Sequence, residues 1–437
     1  MNSNNKRGYG YFFRPKKDFC EWCSFLWLYK QESNSCIICE NYDKNEDFIA
    51  KEKFQNCCPN YIPHIGYFIN TIEAVSSLYQ NESSAGGLCT WLLRTLLEEN
   101  HVDYVLAVGF SPEQQKFQYI KIDKIDDLVR CQRSAYFPID LFSALEIIRE
   151  EPWKCAITCI PSVAKALELI KMTDSVFQKK IKYLIWLTYH STKTQLYTDY
   201  LCRKSGKIDG FNKCDYISYR DKPKNTYLGD FVVRSGPKEW RIPSASKPID
   251  WSIGLLQDFS SNFVDDHFSE CADITIMDAW HPNYRDTNGV SLAVVRNKDL
   301  DSLIYQSSKI HSKKIDPNII LYSQKHGIHF KTKWLQVRLA FFKLWQSHIP
   351  TKRVSPSFLL HQPLVGLVEM MRLYLSIYSW KSYILLHTNL VKFEKRLKHR
   401  VLIYEFFYRL LSFSQNPLLV LRKNLKLFFT AVLKKWK

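Results

Sequence analysis

The feature that most constrains this chain is an alternation of two hydrophobic periods between residues 86 and 190. Apolar runs that fit strands, DYVLAVGF (103–110), FQYIKI (117–122), KCAITCI and IKYLIWLTYH, alternate with stretches of helical period, GGLCTWLLRTLLEEN, LFSALEIIREE and VAKALELIKM. A side-chain period of two belongs to a strand and one near 3.6 to a helix. Their regular alternation predicts an α/β domain with a largely parallel or mixed sheet. ADITIMDAW and VSLAVVRN supply two further strands, Tyr67–Val75 reads as helical, and Tyr216–Ile242 reads as turn-rich.

Charge divides the chain. Residues 331–437 hold 20 Lys and Arg against three Asp and Glu, so 17 of the 18 net positive charges lie in the last quarter. With 437 residues, two or three domains are expected. The boundaries predicted are a Cys-rich module over 1–62, an α/β core over 63–330 and a basic helical extension over 331–437. In the extension Leu390, Phe393, Leu397, Val401, Tyr404, Tyr408 and Leu411 recur at three- and four-residue steps, and a second stripe runs from Leu418 to Trp436. Cationic amphipathic helices with Trp334, Trp345, Trp380 and Trp436 suit an anionic membrane surface. Packing of the apolar stripe on the core ranks beside that reading. Nucleic acid ranks third, because no recognition motif accompanies the charge. The polar N-terminus has no apolar leader and no run of eighteen uncharged apolar residues occurs, so a cytoplasmic protein is expected, peripheral at the inner face of the membrane if the extension binds there.

Thirteen cysteines in such a chain argue against a disulfide framework. Cys20-x2-Cys23 and Cys36-x2-Cys39 form two chelating pairs, and four thiolates on two knuckles suit zinc or an iron–sulfur cluster. Spacing alone does not choose the metal, and an unliganded, decayed site is the third reading. Cys58-Pro59 matches the Cys-Pro that closes each half of a two-cluster ferredoxin, while Leu26 and Tyr42 occupy the expected third positions. One metal site at most follows, with Cys20, Cys23, Cys36, Cys39 and Cys58 as its candidate ligands.

The stretch SSAGGLCTWLLRTLLEENHVDYVLAVGF resembles the start of the flavoprotein module in the coenzyme F420 hydrogenase/dehydrogenase beta-subunit family; Ser83, Ser84, Gly86, Gly87 and Thr90 match. Such a turn brings backbone N–H groups to a helix N-terminus, a seat for cofactor phosphates. CAITCIPSVAKAL is similar to the family's strand, Gly-x-Pro-Cys turn and helix, with Pro161 kept, Cys159 for glycine and Ser162 for cysteine. WLTYHSTK resembles the strand ending in Cys-His-Gly and keeps His190. ISYRDKP keeps the arginine of Phe-x-x-Arg as Arg220. ADITIMDAW keeps Ala272, Asp273, Ile274, Asp278 and Trp280, with Met277 for glycine. The matches run in order over roughly residues 15–300. A Cys-x-x-Cys pair that many relatives carry before the last strand falls at Ser261 and Val264, and a Ser-Lys-Tyr becomes Ser134-Ala135-Tyr136.

The resemblance implies a mixed-sheet flavoprotein core that binds FAD and passes electrons between an iron–sulfur centre and a hydride-accepting partner, in bacterial relatives often within cell-surface polysaccharide metabolism. Ser83, Ser84, Gly86, Gly87, Thr90, Pro161, Ser162, Arg220 and Trp280 are its expected cofactor-binding residues. His190, Asp273 and Asp278 are the candidate catalytic or orienting groups, against the plainer readings of strand-end caps and a core histidine. Two alternatives to the oxidoreductase stand beside it: a non-catalytic descendant acting as an interaction or scaffold protein, and a zinc-ribbon protein that contacts nucleic acid through its tail.

Overall fold

A computed structural model describes residues 46–222, 229–243, 253–284, 288–345 and 352–415, with Pro161, Ser162, Ser260, Trp345, Phe413 and Gln415 described by backbone alone. Helix α1 (Glu46–Phe54) and the hairpin β1 (Asn60–Ile62) and β2 (Gly66–Phe68) lead into β3 (Asn70–Ser76) and α2 (Leu88–Glu98). There follow β4 (Tyr104–Ser111), β5 (Lys116–Ile122), α3 (Phe142–Glu150), β6 (Cys155–Cys159), α4 (Pro161–Thr173), α5 (Ser175–Lys180) and β7 (Ile181–Leu187). A smaller unit comprises α6 (Gln195–Lys204) and strands β8 (Tyr216–Asp221), β9 (Asp230–Ser235) and β10 (Lys238–Ile242). The chain then returns through β11 (Ile274–Asp278), β12 (Ser291–Val295), α7 (Lys298–Gln306) and β13 (Ile310–Lys314).

Eight strands form one mixed sheet in the order β13-β3-β12-β11-β7-β6-β4-β5, with β11, β7, β6 and β4 mutually parallel. The predicted α/β mixed-sheet class is therefore the observed one. The period-two pattern sorts side chains onto two faces. Leu106, Ile157, Leu184, Trp186 and Leu292 pack under α3, α4 and α5, while Val105, Ala156, Ile185, Ile276 and Ala293 pack under α2 and α7. Helices on both faces bury the sheet, as its parallel centre requires.

Two sequence expectations are corrected. Tyr67–Val75 is not helical: it contains β2 and most of β3, and β3 pairs with both β12 and β13. Its apolar residues fit either period over so short a window, and long-range pairing decides. Within Tyr216–Ile242, β8, β9 and β10 form an antiparallel sheet in the order β10-β9-β8.

Beyond β13 the described residues form α8 (Pro317–Ser323), α9 (Lys325–Lys331), α10 (Lys333–Trp345), α11 (Pro363–Leu386) and α12 (Leu390–Gln415). The stripe read from the sequence is the packing face of α12. Phe393, Leu397, Tyr404 and Leu411 are buried in one apolar core with Tyr197 and Leu201 of α6, Tyr219 of β8 and Val233 of β9. Each such side chain contributes about 1.5–3 kcal/mol by leaving water. The second stripe, Leu418–Trp436, lies outside the described residues. Among the described residues no helix is long and apolar enough to cross a membrane.

Candidate functional site

Parallel strands joined by crossover helices leave a crevice outside their carboxyl ends, where ligands of open α/β sheets bind. Here that crevice is a cavity of about 530 Å³, lined by residues at or beyond the carboxyl ends of β6, β7 and β11 together with the Ser83–Thr90 turn. Its volume is in the range of small-molecule sites. Leu93, Val108, Leu128, Phe137 and Met277 make its apolar walls.

The Ser83–Thr90 turn is pinned from several sides. Ser134 donates from both N and Oγ to Ser84 Oγ (3.1 and 3.0 Å), and Arg220 Nη2 donates to the Ser84 carbonyl (3.0 Å). Lys222 Nζ donates to the carbonyls of Gln80, Ala85 and Asn288 at 2.7–2.9 Å. Gly86 lies where a Cβ would come within 2.4 Å of the Ala74 carbonyl oxygen, so it serves close packing of the turn against β3 and β12. Gly87 is the N-cap of α2 at φ 82°, a left-handed conformation that costs a side-chain-bearing residue roughly 1–2 kcal/mol. No side chain caps α2 and its first turn carries no acidic residue, so the positive end of the helix meets the cavity wall at Leu88–Thr90.

Opposite the turn, Arg220 Nη1 donates to Asp278 Oδ2 at 2.6 Å. Burial works against the guanidinium charge, but Asp278 and Tyr136 outweigh it and hold its pKa above the ordinary value. Trp280, about half exposed, stands at the rim, its backbone N–H donating to Ser323 Oγ (2.8 Å). At the other end His190 stacks near Phe330 (ring centroids 4.1 Å) and His326 (5.3 Å). Burial, followed by His326, Arg372, Lys331 and Lys193, pushes the His190 pKa well below its usual value, so the imidazole is neutral. Two cavity-lining residues, Ser83 and Thr188, have buried hydroxyls with no hydrogen-bond partner among the described residues. Native interiors seldom leave such groups unmatched, and a bound ligand is one way to match them.

Of the residues read from the sequence, Ser83, Ser84, Gly87, Thr90, His190, Arg220, Asp278 and Trp280 line this one cavity. Gly86 lies behind it. Pro161 and Ser162 open α4 just past the lining residues Cys159 and Ile160. Asp273 is not brought to the cavity. It sits at the opposite end of β11, where its Oδ2 accepts from Leu184 N (2.8 Å) and its Oδ1 lies 3.3 Å from Lys53 Nζ. Cys58 is buried with its thiol directed at the Arg296 carbonyl (3.3 Å); burial and then Cys57 push its pKa up to about 12. Cys20, Cys23, Cys36 and Cys39 lie outside the described residues, and among the described residues no three His, Cys, Asp or Glu side chains are grouped to hold a metal ion. Sequence reasoning missed His267, Gln324 and His326, which line the cavity without a local motif, and passed over Ser134 and Thr188, which lie within the Ser134-Ala135-Tyr136 and WLTYHSTK matches but were not singled out as site residues.

Two family models match the chain: coenzyme F420 hydrogenase/dehydrogenase beta subunit, N-terminal part, over residues 71–146, and the C-terminal part over residues 153–318. Among solved structures, a chain of the xenon-derivatised F420-reducing [NiFe] hydrogenase complex from Methanosarcina barkeri is similar, with 15% identity and a TM-score of 0.50. The overlap covers 67% of this chain and 98% of that one, and at this identity it speaks for the fold alone. No curated protein matches.

Proposed function

Because the chain belongs to the coenzyme F420 hydrogenase/dehydrogenase beta-subunit family, a family of oxidoreductase subunits, we propose that its cavity seats FAD and that the protein passes electrons between a redox partner protein and a substrate. The observation that carries this reading is the pinned Ser83–Gly87 turn at the uncapped end of α2, beside the unmatched hydroxyls of Ser83 and Thr188. When bound, a flavin exchanges both single electrons and hydrides. The chain's own part is placement. The α2 terminus offers backbone N–H groups and positive potential to phosphate oxygens. Arg220, kept charged by Asp278, fixes the turn through the Ser84 carbonyl. The apolar walls exclude water from a planar ring system.

An iron–sulfur cluster, or zinc, on Cys20, Cys23, Cys36 and Cys39 is part of the proposal. Cys58, in its present arrangement, is a protonated thiol turned toward a carbonyl and serves there as a packing residue. Metal analysis of the anaerobically prepared chain tests the cysteine site, and loss of metal on Cys20→Ser with Cys23→Ser assigns it.

One observation favours a second reading, a non-catalytic descendant. Ser261, at one position where relatives carry cysteine, is buried and accepts a hydrogen bond from Thr192 N (2.9 Å), a structural role in place of a thiol's chemistry. Absorbance of anaerobically prepared protein separates the two. Flavin bands at one equivalent per chain support the oxidoreductase, and a protein that stays colourless after incubation with FAD and FMN supports the descendant.

Contact with an anionic membrane surface from the cytoplasmic side also belongs to this proposal. Leu402, Ile403, Phe406 and Leu410 are exposed along α12, which carries Lys392, Lys395, Arg396, Lys398, Arg400 and Arg409 against Glu394 and Glu405. Flotation of the full chain with phosphatidylserine vesicles tests it. Binding that is lost on Leu402→Glu with Phe406→Glu supports the contact, and no flotation removes it.

A further inference from the structure

We infer that helix α12, which lies beyond the family-matched segment, is a working part of the site: Tyr408 and Tyr404 are positioning residues whose hydroxyls fix two members of the cavity's far wall, His326 directly and His190 through Arg372. The inference rests on the reading of this cavity as the ligand site. The C-terminal family match ends at residue 318, yet His326 lines the cavity beside His190, with their ring centroids 5.3 Å apart. An extension that only covered apolar surface would meet this wall through carbon atoms. This one meets it through polar atoms.

The Tyr408 hydroxyl is hydrogen-bonded to His326 Nε2 at 2.9 Å. Trp334 of α10 packs edge-on against the same imidazole (4.9 Å). One turn earlier on α12, Tyr404 stacks on Tyr408 with ring planes 16° apart, and its hydroxyl accepts from Arg372 Nη2 (2.9 Å). Arg372 turns its other terminal nitrogen, Nη1, toward His190 Nε2 at 3.5 Å. A guanidinium only donates, so Nε2 is the acceptor of that pair. Two tyrosines one turn apart thus reach two neighbouring imidazoles.

Arg372 is held in this direction. Its Nε lies 3.2 Å from Glu369 Oε1, and Glu369 Oε2 accepts from Arg338 Nη1 at 2.5 Å. All three side chains are buried, none more than 1% exposed. Apolar residues of similar volume would fill such a core at no cost in ion desolvation. The ion triad gives instead a fixed orientation, and Arg338 also covers Phe330 (3.9 Å), the ring on which His190 packs at 4.1 Å. After burial and His326, Arg372 is the strongest influence that keeps His190 neutral.

Tyr408→Phe and Tyr404→Phe in the full chain separate positioning from packing, because each keeps the ring and removes only the hydroxyl. Nitrogen-15 NMR of histidine-labelled protein reads the wall, with signals assigned by His326→Gln and His190→Gln. Tyr408→Phe should move the His326 ring nitrogens, and Tyr404→Phe those of His190, while His101 and His311 stay in place. FAD affinity by equilibrium dialysis should fall about 5-fold in each variant, the effect of one lost hydrogen bond. Leu397→Ala, which removes a buried apolar side chain of the same helix, should lower the denaturation midpoint and leave both readouts unchanged. Unmoved histidines in the tyrosine variants, equal movement in Leu397→Ala, or moved histidines with unchanged FAD affinity in a flavin-binding chain overturns the inference. A wild type that binds no FAD removes the flavin reading alone, since the histidine signals are then the deciding readout.

Discussion

The two ends of strand β11 carry the same side chain in different settings. At one end Asp273, with its side chain 4% exposed, is matched by the Leu184 N–H, by Lys53 and by Asn297 at 3.4 Å, and Lys53 is matched in turn by Glu168 (2.6 Å) and the Cys271 carbonyl. Burial opposes the Lys53 charge, yet Asp273 and Glu168 hold its pKa above the usual value. At the other end, about 17 Å away for five residues of strand, Asp278 has its side chain 25% exposed and holds one arginine, and the cavity it lines is also lined by Ser83 and Thr188, whose hydroxyls are unmatched among the described residues. The first end is a closed network that holds the sheet to α1 and α4. The second is an open one, with hydrogen-bonding capacity that the described residues do not use. Completeness of pairing, more than residue type, separates scaffold from site.

The two aspartates should respond differently to removal, and like responses would mean that both ends of β11 are scaffold. Asp273→Ala should cost about 2–3 kcal/mol, because it leaves the buried Leu184 N–H without its acceptor and takes away one of the two carboxylates that hold Lys53; the denaturation midpoint measures it, and flavin affinity of the folded protein should hold. Asp278→Ala should cost less, about 1–2 kcal/mol, and lower flavin affinity at least 10-fold by releasing Arg220 and the Ser84 carbonyl. Acid should reveal the histidine end. The folded pKa values of His190 and His267 lie well below their unfolded value near 6.5. Below pH 6.5 the unfolded chain therefore binds protons that the folded chain does not, and stability falls as pH drops, by up to about 1.4 kcal/mol per pH unit for each histidine. His267→Gln should flatten that slope. The smallest effect should come from Ser83→Ala and Thr188→Val. Each removes an unmatched buried hydroxyl, so ligand-free stability should change by no more than about 0.5 kcal/mol or rise, while flavin affinity falls about 5-fold. Equal losses in both states would assign these hydroxyls to the scaffold.

Much of this was legible in the sequence, for reasons that also mark where legibility ends. The strands at 104–111, 155–159, 181–187, 274–278 and 291–295 combine period-two or continuous apolar runs with clear boundaries, and all are observed. Tyr67–Val75 misled because its pairing partners lie more than 200 residues away. Site residues carried on a turn or strand end with a recognisable pattern, such as Ser83–Thr90 and Asp278, were found. Asp273 shares that pattern and differs only in its partners, which no local reading supplies. Gln324 and His326 were hidden differently: they follow the last strand, just before the predicted boundary at 330, where no motif marks them.

Equilibrium dialysis of FAD against the anaerobically prepared full chain, beside Ala135→Trp, asks whether the cavity seats a flavin, since Ala135 lines it and an indole there would fill it. A flavin seated there gives one FAD per wild-type chain and at least a 10-fold loss of affinity in the variant at an unchanged denaturation midpoint. No binding by the wild type, or equal binding by both, would contradict it.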